Sequence, residues 1–522
     1  MTERPCTIER PPEKNLPAAR SAPRAYVAAF LVVLVLAACV RFWLMAQAIA
    51  VGRDAARHYL PLAQAVSRMQ FSEGFDRGIP PLYPVLGGLT AMVAGDVEVA
   101  CRLVSLLAGV SAVLLVGLLA YRIFGPWPAL LAAALLAFHP YHCRFSAEVG
   151  PDALAVALLL GVTLAAVSYA IAPSFWRAAV VGALLACLSL TRPEGAFYVP
   201  PVLLLMILLP ARGSVVRRSR LVLHIAVLVA VALLLCLPRL VWVHQQTGQW
   251  VVDTRQISWP LRVWSSLVDG SLLRYSQLGL WRRAGLPAIG DSVEAFGAAF
   301  GPAALLLGLY AILRGSWTRR RLQWAPALLI VTGLLVFLLG SKLTKRYLLS
   351  SAALWQIWGG AGLALLVYAI RTRVRAIRPS RARAVLPYLL AVAVPLLQLP
   401  WAMVHLKESR RAEKLTGEWI LQNLGAGQRI ISRDAISAWY ARSTHIDFPS
   451  IRRPKRCYST LIQYARKQNA DLLVLDDAHE YHCPQLISEI KERAPTLGQV
   501  VHQLQDGTRT LTVLRLTPPC EP

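Results

Sequence analysis

The chain has 522 residues, with 55 Lys and Arg against 28 Asp and Glu, a formal net charge of +27, and 16% charged against 56% hydrophobic residues. Water-soluble domains carry about a quarter charged residues, so a single ordinary soluble protein is excluded. A nucleic-acid-binding stripe is excluded as well, because the Arg residues cap apolar stretches instead of interleaving with aromatics. The mean hydropathy of +0.49 and the blocked arrangement of apolar residues give a polytopic membrane protein.

About 20 apolar residues are needed to cross roughly 30 Å of hydrocarbon. The sequence predicts about eleven transmembrane helices, near residues 25–46, 101–120, 127–141, 149–171, 178–191, 195–210, 221–243, 295–313, 322–341, 347–370 and 385–405. The pair 178–191 and 195–210 is short enough to be re-entrant. Leu36-Ala37-Ala38-Cys39 fits a lipoprotein cleavage box, but the apolar character runs on through Phe42, Trp43 and Leu44, which favours a retained span. With the N-terminus inside, the inner loops hold 21 basic residues in 67 positions and the outer loops 14 in 120. The positive-inside rule therefore makes residues 1–24 a basic cytoplasmic tail and places the C-terminal part outside the cytoplasm. Residues 25–405 form the transmembrane domain, with long outer loops at 47–100 and 244–294. In the second loop Trp250, Trp259, Trp264 and Trp281 are read as interface anchors, with sugar stacking as the alternative.

Residues 406–522 change character, with 30 charged residues in 117. The pattern predicts a helix over 414–424 ended by Gly425 and Gly427, a strand at 429–432, a helix over 459–469 and a buried strand at 471–476. A helix over 484–493 follows, then two strands, 499–504 and 510–516, joined at Asp506-Gly507. This is a small extracytoplasmic α/β domain. Asp476-Asp477 ends a strand, which marks either a ligand crevice or a plain exit to solvent. Cys457 and Cys483 are a candidate disulfide if the compartment is oxidising.

The acids of the membrane region carry the functional signal. Between the N-terminal tail and residue 408 there are only twelve: Asp54, Glu73, Asp76, Asp96, Glu98, Glu148, Asp152, Glu194, Asp253, Asp269, Asp291 and Glu294. All twelve fall on the outer side or at its boundary, where Arg53, Arg57, Arg144, Arg192, Lys342, Lys345 and Arg346 also lie. That pattern predicts a polar cavity at the outer leaflet and no ionisable relay at the midplane of the kind a proton-coupled pump requires. Asp54 sits just beyond the first helix. The loop His139–Asp152 contains Glu148 and then Pro151-Asp152, where Pro151 starts a helix and Asp152 suits its positive end. Arg192-Pro193-Glu194 is a turn with an internal ion pair, and Arg192 is also within reach of a lipid phosphate. Lys342, Lys345 and Arg346 oppose the positive-inside trend with no acid nearby in sequence, which predicts an anionic partner. His58, His139 and His142 are read as interfacial hydrogen-bonding residues before metal ligands. No Walker A loop, Gly-x-Ser-x-Gly elbow or His-Glu-x-x-His pair is present.

These motifs resemble a known set. Asp54 with Tyr59, Pro80-Pro81-Leu82-Tyr83-Pro84, Arg102-Leu103-Val104-Ser105, the Glu148/Asp152 loop and Arg346-Tyr347-Leu348-Leu349 look like the C-type (GT-C) membrane glycosyltransferases. The similarity is to glycosyltransferase family 39 and its bacterial relatives, including aminoarabinose transferases and lipopolysaccharide-core transferases, and covers about residues 25–370. It implies transfer of a sugar from a polyprenyl-phosphate donor to a lipid, glycan or protein acceptor, on the extracytoplasmic face of the plasma (inner) membrane. It also implies Asp54 as the catalytic carboxylate and Glu148 or Asp152 as the second acid. Lys342, Lys345, Arg346 and Arg192 would bind the donor phosphate, and Tyr59, His58, Tyr347 and Glu194 the substrates. Ala55 follows Asp54 where relatives often carry a second acid or Gly, so a paired acid there is not implied. No cofactor is required, although a divalent cation held by Asp54 and Glu148 is left open. The alternative from another class is a transporter or flippase of lipid-linked sugars, which would need a polar path through the bilayer.

Overall fold

The computed structural model describes residues 24–71, 79–209, 218–248, 250, 286–314, 320–339, 345–377, 381–403, 410–449, 457–476, 498–507 and 509–516. Helix α1 (Arg24–Ala46) shows how the membrane part is built. Its buried residues Phe30, Ala37, Arg41 and Leu44 share one face, while Val32, Val35 and Phe42 on the others remain exposed. A predominantly apolar helix with one packed stripe is one that turns its other sides to lipid.

After a π-turn (Ala55–Tyr59) come α2 (Leu60–Ser67) and α3 (Leu82–Ala94), then the long α4 (Val97–Phe124). Asp96 starts α4 by accepting the Val99 N–H at 2.8 Å. Next are α5 (Pro126–Ala137), α6 (Pro140–Ala147), α7 (Asp152–Ile171), α8 (Phe175–Thr191), a 3-10 turn (Pro193–Tyr198), α9 (Val199–Leu208) and α10 (Arg218–Thr247). Helix α4 is the centre of this part, packing on α1, α3, α5, α6 and α7, and the helix Lys345–Ile377 packs against α5.

The eleven predicted segments all contain helix, but fewer are long enough to cross. Five helices are long and apolar enough among the described residues: 24–46, 97–124, 152–171, 219–247 and 346–373. A sixth span forms if the pair Gly290–Phe300 and Pro302–Arg314 counts as one, bent by 78°. The bend falls at Gly301, with φ of +78°, followed by Pro302, a pair that cannot continue a helix. Helix α5 has 12 residues and at 1.5 Å per residue reaches only about 18 Å. Short apolar helices such as α5 and Trp324–Leu339 satisfy an apolar-run criterion without satisfying the length criterion.

Residues 411–516 carry a five-stranded sheet in the order β2-β1-β3-β5-β4. Strands β1 (Arg429–Ser432), β2 (Thr444–Asp447) and β3 (Leu472–Asp476) are parallel, and β5 (Arg509–Leu516) joins β3 to β4 (Gly498–Asp506) in antiparallel fashion. Alternation splits the core. Ile431, Leu473, Leu475 and Leu514 meet Leu461 and Ala465 of the helix Cys457–Lys467, while Ile430, Leu472, Val474 and Val513 meet Ala412 and Ile420 of the helix Arg411–Leu424. The short helix Ile436–Tyr440 and strand β2 are additions to the predicted elements. The predicted helix over 484–493, Cys483 and Asp477 lie outside the described residues.

Candidate active site

Asp152 is the first residue of α7 and is almost wholly buried. The site grows from the loop that delivers it. Gly150 N donates to Tyr83 Oη at 2.8 Å, and Gly150 O accepts from Ser105 Oγ at 3.2 Å. Tyr83 Oη in turn donates to Cys101 O at 2.9 Å and lies 2.8 Å from Ser105 Oγ. The Tyr of the Pro-Pro-Leu-Tyr-Pro motif and the Ser of Arg-Leu-Val-Ser therefore fix the turn into α7 from α3 and α4. Arg102 pairs with Glu98 at 2.7 Å and points its other nitrogen at Met45 O and Ala48 O, at 3.5 and 3.4 Å, steadying the chain that leaves α1 toward Asp54.

A second support lies within the helices. Arg41, fully buried in α1, donates to Ala37 O at 2.9 Å, Ala137 O at 3.0 Å and Leu136 O at 3.4 Å, and to His142 Nδ1 at 2.7 Å. A guanidinium only donates, so His142 Nδ1 accepts. This ties α1 to the end of α5 and to α6, the element that leads into Glu148. Gly109 of α4 allows the approach, since a Cβ there would meet Ser146 Oγ at 2.2 Å and Arg41 Nε at 3.0 Å. Two arginines, Arg41 and Arg239, are buried among the helices. Each sits inside a helix, and Arg239 Nη2 donates to Ile79 O at 3.3 Å. His139 and His142 are both buried, and both accept hydrogen bonds, His139 Nδ1 from His142 N at 3.3 Å and His142 Nδ1 from Arg41.

Three buried or half-buried N–H groups converge on Asp152. Arg192 Nη1 reaches Oδ1 at 2.5 Å, while Arg346 forks onto it, Nε to Oδ1 at 3.1 Å and Nη2 to Oδ2 at 3.0 Å. The remaining nitrogen of Arg346, Nη1, donates to Asp54 Oδ2 at 2.8 Å. Arg192 Nε also holds Glu194 Oε2 at 3.2 Å, and its guanidinium lies 5.1 Å from the centre of the Tyr347 ring. Asp54 is the exposed end of this chain of charges, with 55% of its side chain accessible against 4% for Asp152. Burial pushes the Asp54 carboxyl up, but the hydrogen bond and charge of Arg346, with the charge of His58, outweigh it and hold it below the usual carboxylate value. Tyr59 packs edge-on against Tyr83 at 5.5 Å, and burial pushes its phenol up to about 12.

The expected residues are therefore largely brought together: Asp54, Asp152, Arg192, Glu194, Arg346 and Tyr347 in one network, with Tyr59 and His58 beside it. Of the two acids left open by sequence, Asp152 is the one bonded to Arg192 and Arg346, while Glu148 ends α6. Lys342 lies outside the described residues, as does the side chain of Lys345. Arg346 finds its anionic partners within the protein, in Asp54 and Asp152, which local sequence could not show.

Among the described residues no group of three or more His, Cys, Asp or Glu side chains is placed to hold a metal. Between Asp54 and Asp152, the position a bridging cation would take is filled by the Arg346 guanidinium. Helices α3, α4, α7 and α8 line an open cavity of about 770 Å³ whose walls are almost wholly apolar side chains such as Leu107, Leu158, Leu164, Val180 and Leu184, with Arg177 among them.

Comparison with known proteins places this architecture. The family model for dolichyl-phosphate-mannose-protein mannosyltransferase matches residues 79–242, a segment that includes Tyr83, Asp152 and Arg192. The oligosaccharyltransferase of Archaeoglobus fulgidus, solved with Zn and sulfate, superimposes with a TM-score of 0.61 at 14% identity, over 92% of this chain and 72% of that one. ArnT from Cupriavidus metallidurans, solved bound to undecaprenyl phosphate, gives 0.60 at 14% identity, over 94% and 98%. No curated protein sequence matches the chain. The fold is similar to that of the oligosaccharyltransferase and ArnT structures, and the chain resembles the GT-C membrane glycosyltransferases of the protein mannosyltransferase and ArnT kind.

Proposed function

We propose that this protein is a glycosyltransferase that moves a sugar from a polyprenyl-phosphate-linked donor to a lipid, polysaccharide or protein acceptor. Asp54 is its catalytic carboxylate, and the reaction takes place on the extracytoplasmic face of the plasma membrane. The carrying observation is the half-exposed Asp54 carboxylate joined through Arg346 to a buried, doubly clamped Asp152. An acceptor needs a group that takes its proton, and a departing phosphate needs fixed positive charge. Asp54 supplies the first, ionised and facing outward. Arg346 supplies the second, held in place by Asp152 so that it does not need to be organised during the reaction. A guanidinium suits the bidentate recognition of phosphate oxygens.

The pairing also supports a coupling between the two substrates. While Arg346 is bonded to Asp54 it weakens the carboxylate as a base. A donor phosphate that draws the Nη1 hydrogen bond away restores basicity to Asp54 once the donor is in place. The apolar cavity on α7, the same helix that presents Asp152, favours a lipid-linked donor. ArnT, bound to undecaprenyl phosphate in its structure, supports the same class of carrier.

The test is mass spectrometry of envelope glycolipids, polysaccharides and glycoproteins from cells lacking the gene, complemented with wild type or Asp54→Asn at matched protein levels. Restoration of a sugar by wild type alone is the expected result. Equal restoration by both removes Asp54 from the chemistry.

A further inference from the structure

The C-terminal sheet has the arrangement of a ligand-binding α/β fold. In open parallel sheets the crevice for a ligand lies beyond the carboxyl ends of the strands, where the strand order reverses. The order β2-β1-β3 puts that reversal at β1. Each parallel strand delivers an acid there: Asp434 two residues beyond β1, Asp447 at the end of β2 and Asp476 at the end of β3.

What fills the crevice is the segment on either side of Asp54. Arg53 Nε pairs with Asp434 Oδ1 at 3.0 Å, and Arg57 pairs with Asp447. Tyr440, on the helix that follows β1, accepts the Val51 N–H at 3.1 Å and lies 3.5 Å from Glu98. Beneath these bonds Ala435 and Ile436 share a buried apolar cluster with Val51, Ala55, Ala56 and Tyr59. Asp434 is itself anchored, by Arg410 Nη1 at 2.5 Å, and Arg410 also holds Glu413 at 2.8 Å. The space left around Glu413, Asp434 and Asp476 is about 10 Å³, no more than a single water occupies.

Asp54 needs such external support. Its side chain makes no cap bond to the turn it precedes, and that turn is π-helical rather than α-helical. Reacting groups must be held to about 0.5 Å by their surroundings, and Arg346 fixes only the tip of the carboxylate. Backbone placement must come from elsewhere.

We propose that the strand-end crevice of the C-terminal sheet is a socket for the chain's own Asp54 segment, with Arg53, Arg57, Asp434, Asp447 and Tyr440 acting as positioning residues that aim the Asp54 carboxylate. The aiming role rests on the reading of Asp54 as the reacting carboxylate. The socket itself rests only on the contacts above.

The experiment uses the full chain in detergent micelles and reads amide hydrogen exchange of residues 50–59 by mass spectrometry. Arg57→Asp and Asp447→Arg, made singly, are expected to speed exchange in this segment about two- to fivefold, the range for a partly exposed ion pair. The double swap returns it toward wild type. Exchange in 97–124 stays unchanged and reports that the membrane part is folded. Should either charge variant fail to fold, Tyr440→Phe removes the Val51 contact with a smaller change and is expected to raise exchange in the same segment. Sugar transfer in complemented cells should fall in the single variants and recover in the swap. Unchanged exchange in every variant, or a swap no closer to wild type than its parents, overturns the socket. Full transfer by Asp54→Asn overturns the proposed function while exchange still decides the socket, so the two failures are distinguishable.

Discussion

Asp152 and Arg346 lie 194 residues apart in the chain and meet in a two-pronged ion pair, Nε to Oδ1 at 3.1 Å and Nη2 to Oδ2 at 3.0 Å. The geometry uses the planar fork of a guanidinium and leaves Nη1 free to reach Asp54. Arg346→Lys keeps a positive charge but cannot hold Asp152 at two points and Asp54 at a third. Transfer is expected to fall about a hundredfold or more, the scale for removing one preorganised charge-stabilising donor. Quantifying the restored glycan in complemented cells checks this, and a Lys variant as active as wild type would show that only the charge matters.

The Asp54 carboxyl is held below its usual value, mainly because Arg346 overrides burial. A base must be unprotonated to act, so the acid limb of kcat/KM lies below the ordinary Asp value of about 3.9. In Arg346→Gln burial is opposed only by the charge of His58, and the limb moves to higher pH. The stability sign follows from the same shift. Folded Asp54 binds its proton more weakly than unfolded Asp54, so its contribution is present above the ordinary value and is lost as pH falls through the folded one. A pH–rate profile of both proteins, taken with the sugar acceptor that complementation identifies, measures the displacement.

Tyr83→Phe removes the acceptor of the Gly150 N–H and the donor to Cys101 O. A buried N–H without a partner costs about 1–3 kcal/mol. The thermal midpoint in detergent should drop, and transfer should drop with it, because Gly150 sets the turn that presents Asp152. An unchanged midpoint would mean that water or a shifted Ser105 replaces the phenol.

Removal of divalent ions with a chelator is expected to leave transfer unchanged. Arg346 already occupies the place between Asp54 and Asp152 where a bridging ion would sit. Loss of transfer in EDTA with recovery on Mg²⁺ or Mn²⁺ would show that the guanidinium gives way to a metal during turnover.

Several parts of this site were legible from one-dimensional pattern. Asp54 stands just beyond an apolar span, Pro151-Asp152 is a helix start, and Arg192-Pro193-Glu194 is a tight turn with an ion pair that the structure contains at 3.2 Å. Asp152 serves as both helix start and ion-pair centre, roles that sequence presents as alternatives. What could not be read was partnership across long separations. Arg346 looked like an unpaired cation because its acids come from two distant loops. The burial of Arg41 has no signal in local sequence, and only the packed structure shows the carbonyls of Leu136 and Ala137 that make it tolerable. Helix length was hard to read for a related reason: apolar runs bounded by Pro and Gly record burial, and a short helix such as α5, at 12 residues, gives the same apolar signal as a full-length span. The helix Ile436–Tyr440 is five residues long and gave no period to detect.

The docking of Arg53 on Asp434 and of Val51 on Tyr440 has a consequence for biogenesis. Val51 and Tyr440 are 389 positions apart. At ribosomal rates of about 5–20 residues per second, roughly twenty to eighty seconds separate the synthesis of the two. Throughout that interval the Asp54 segment has emerged while the surface that seats it does not yet exist. A ribosome-bound or prematurely terminated chain that stops short of Tyr440 therefore carries the Asp54 segment without the surface that seats it, and seating of that segment reports that translation has passed β2.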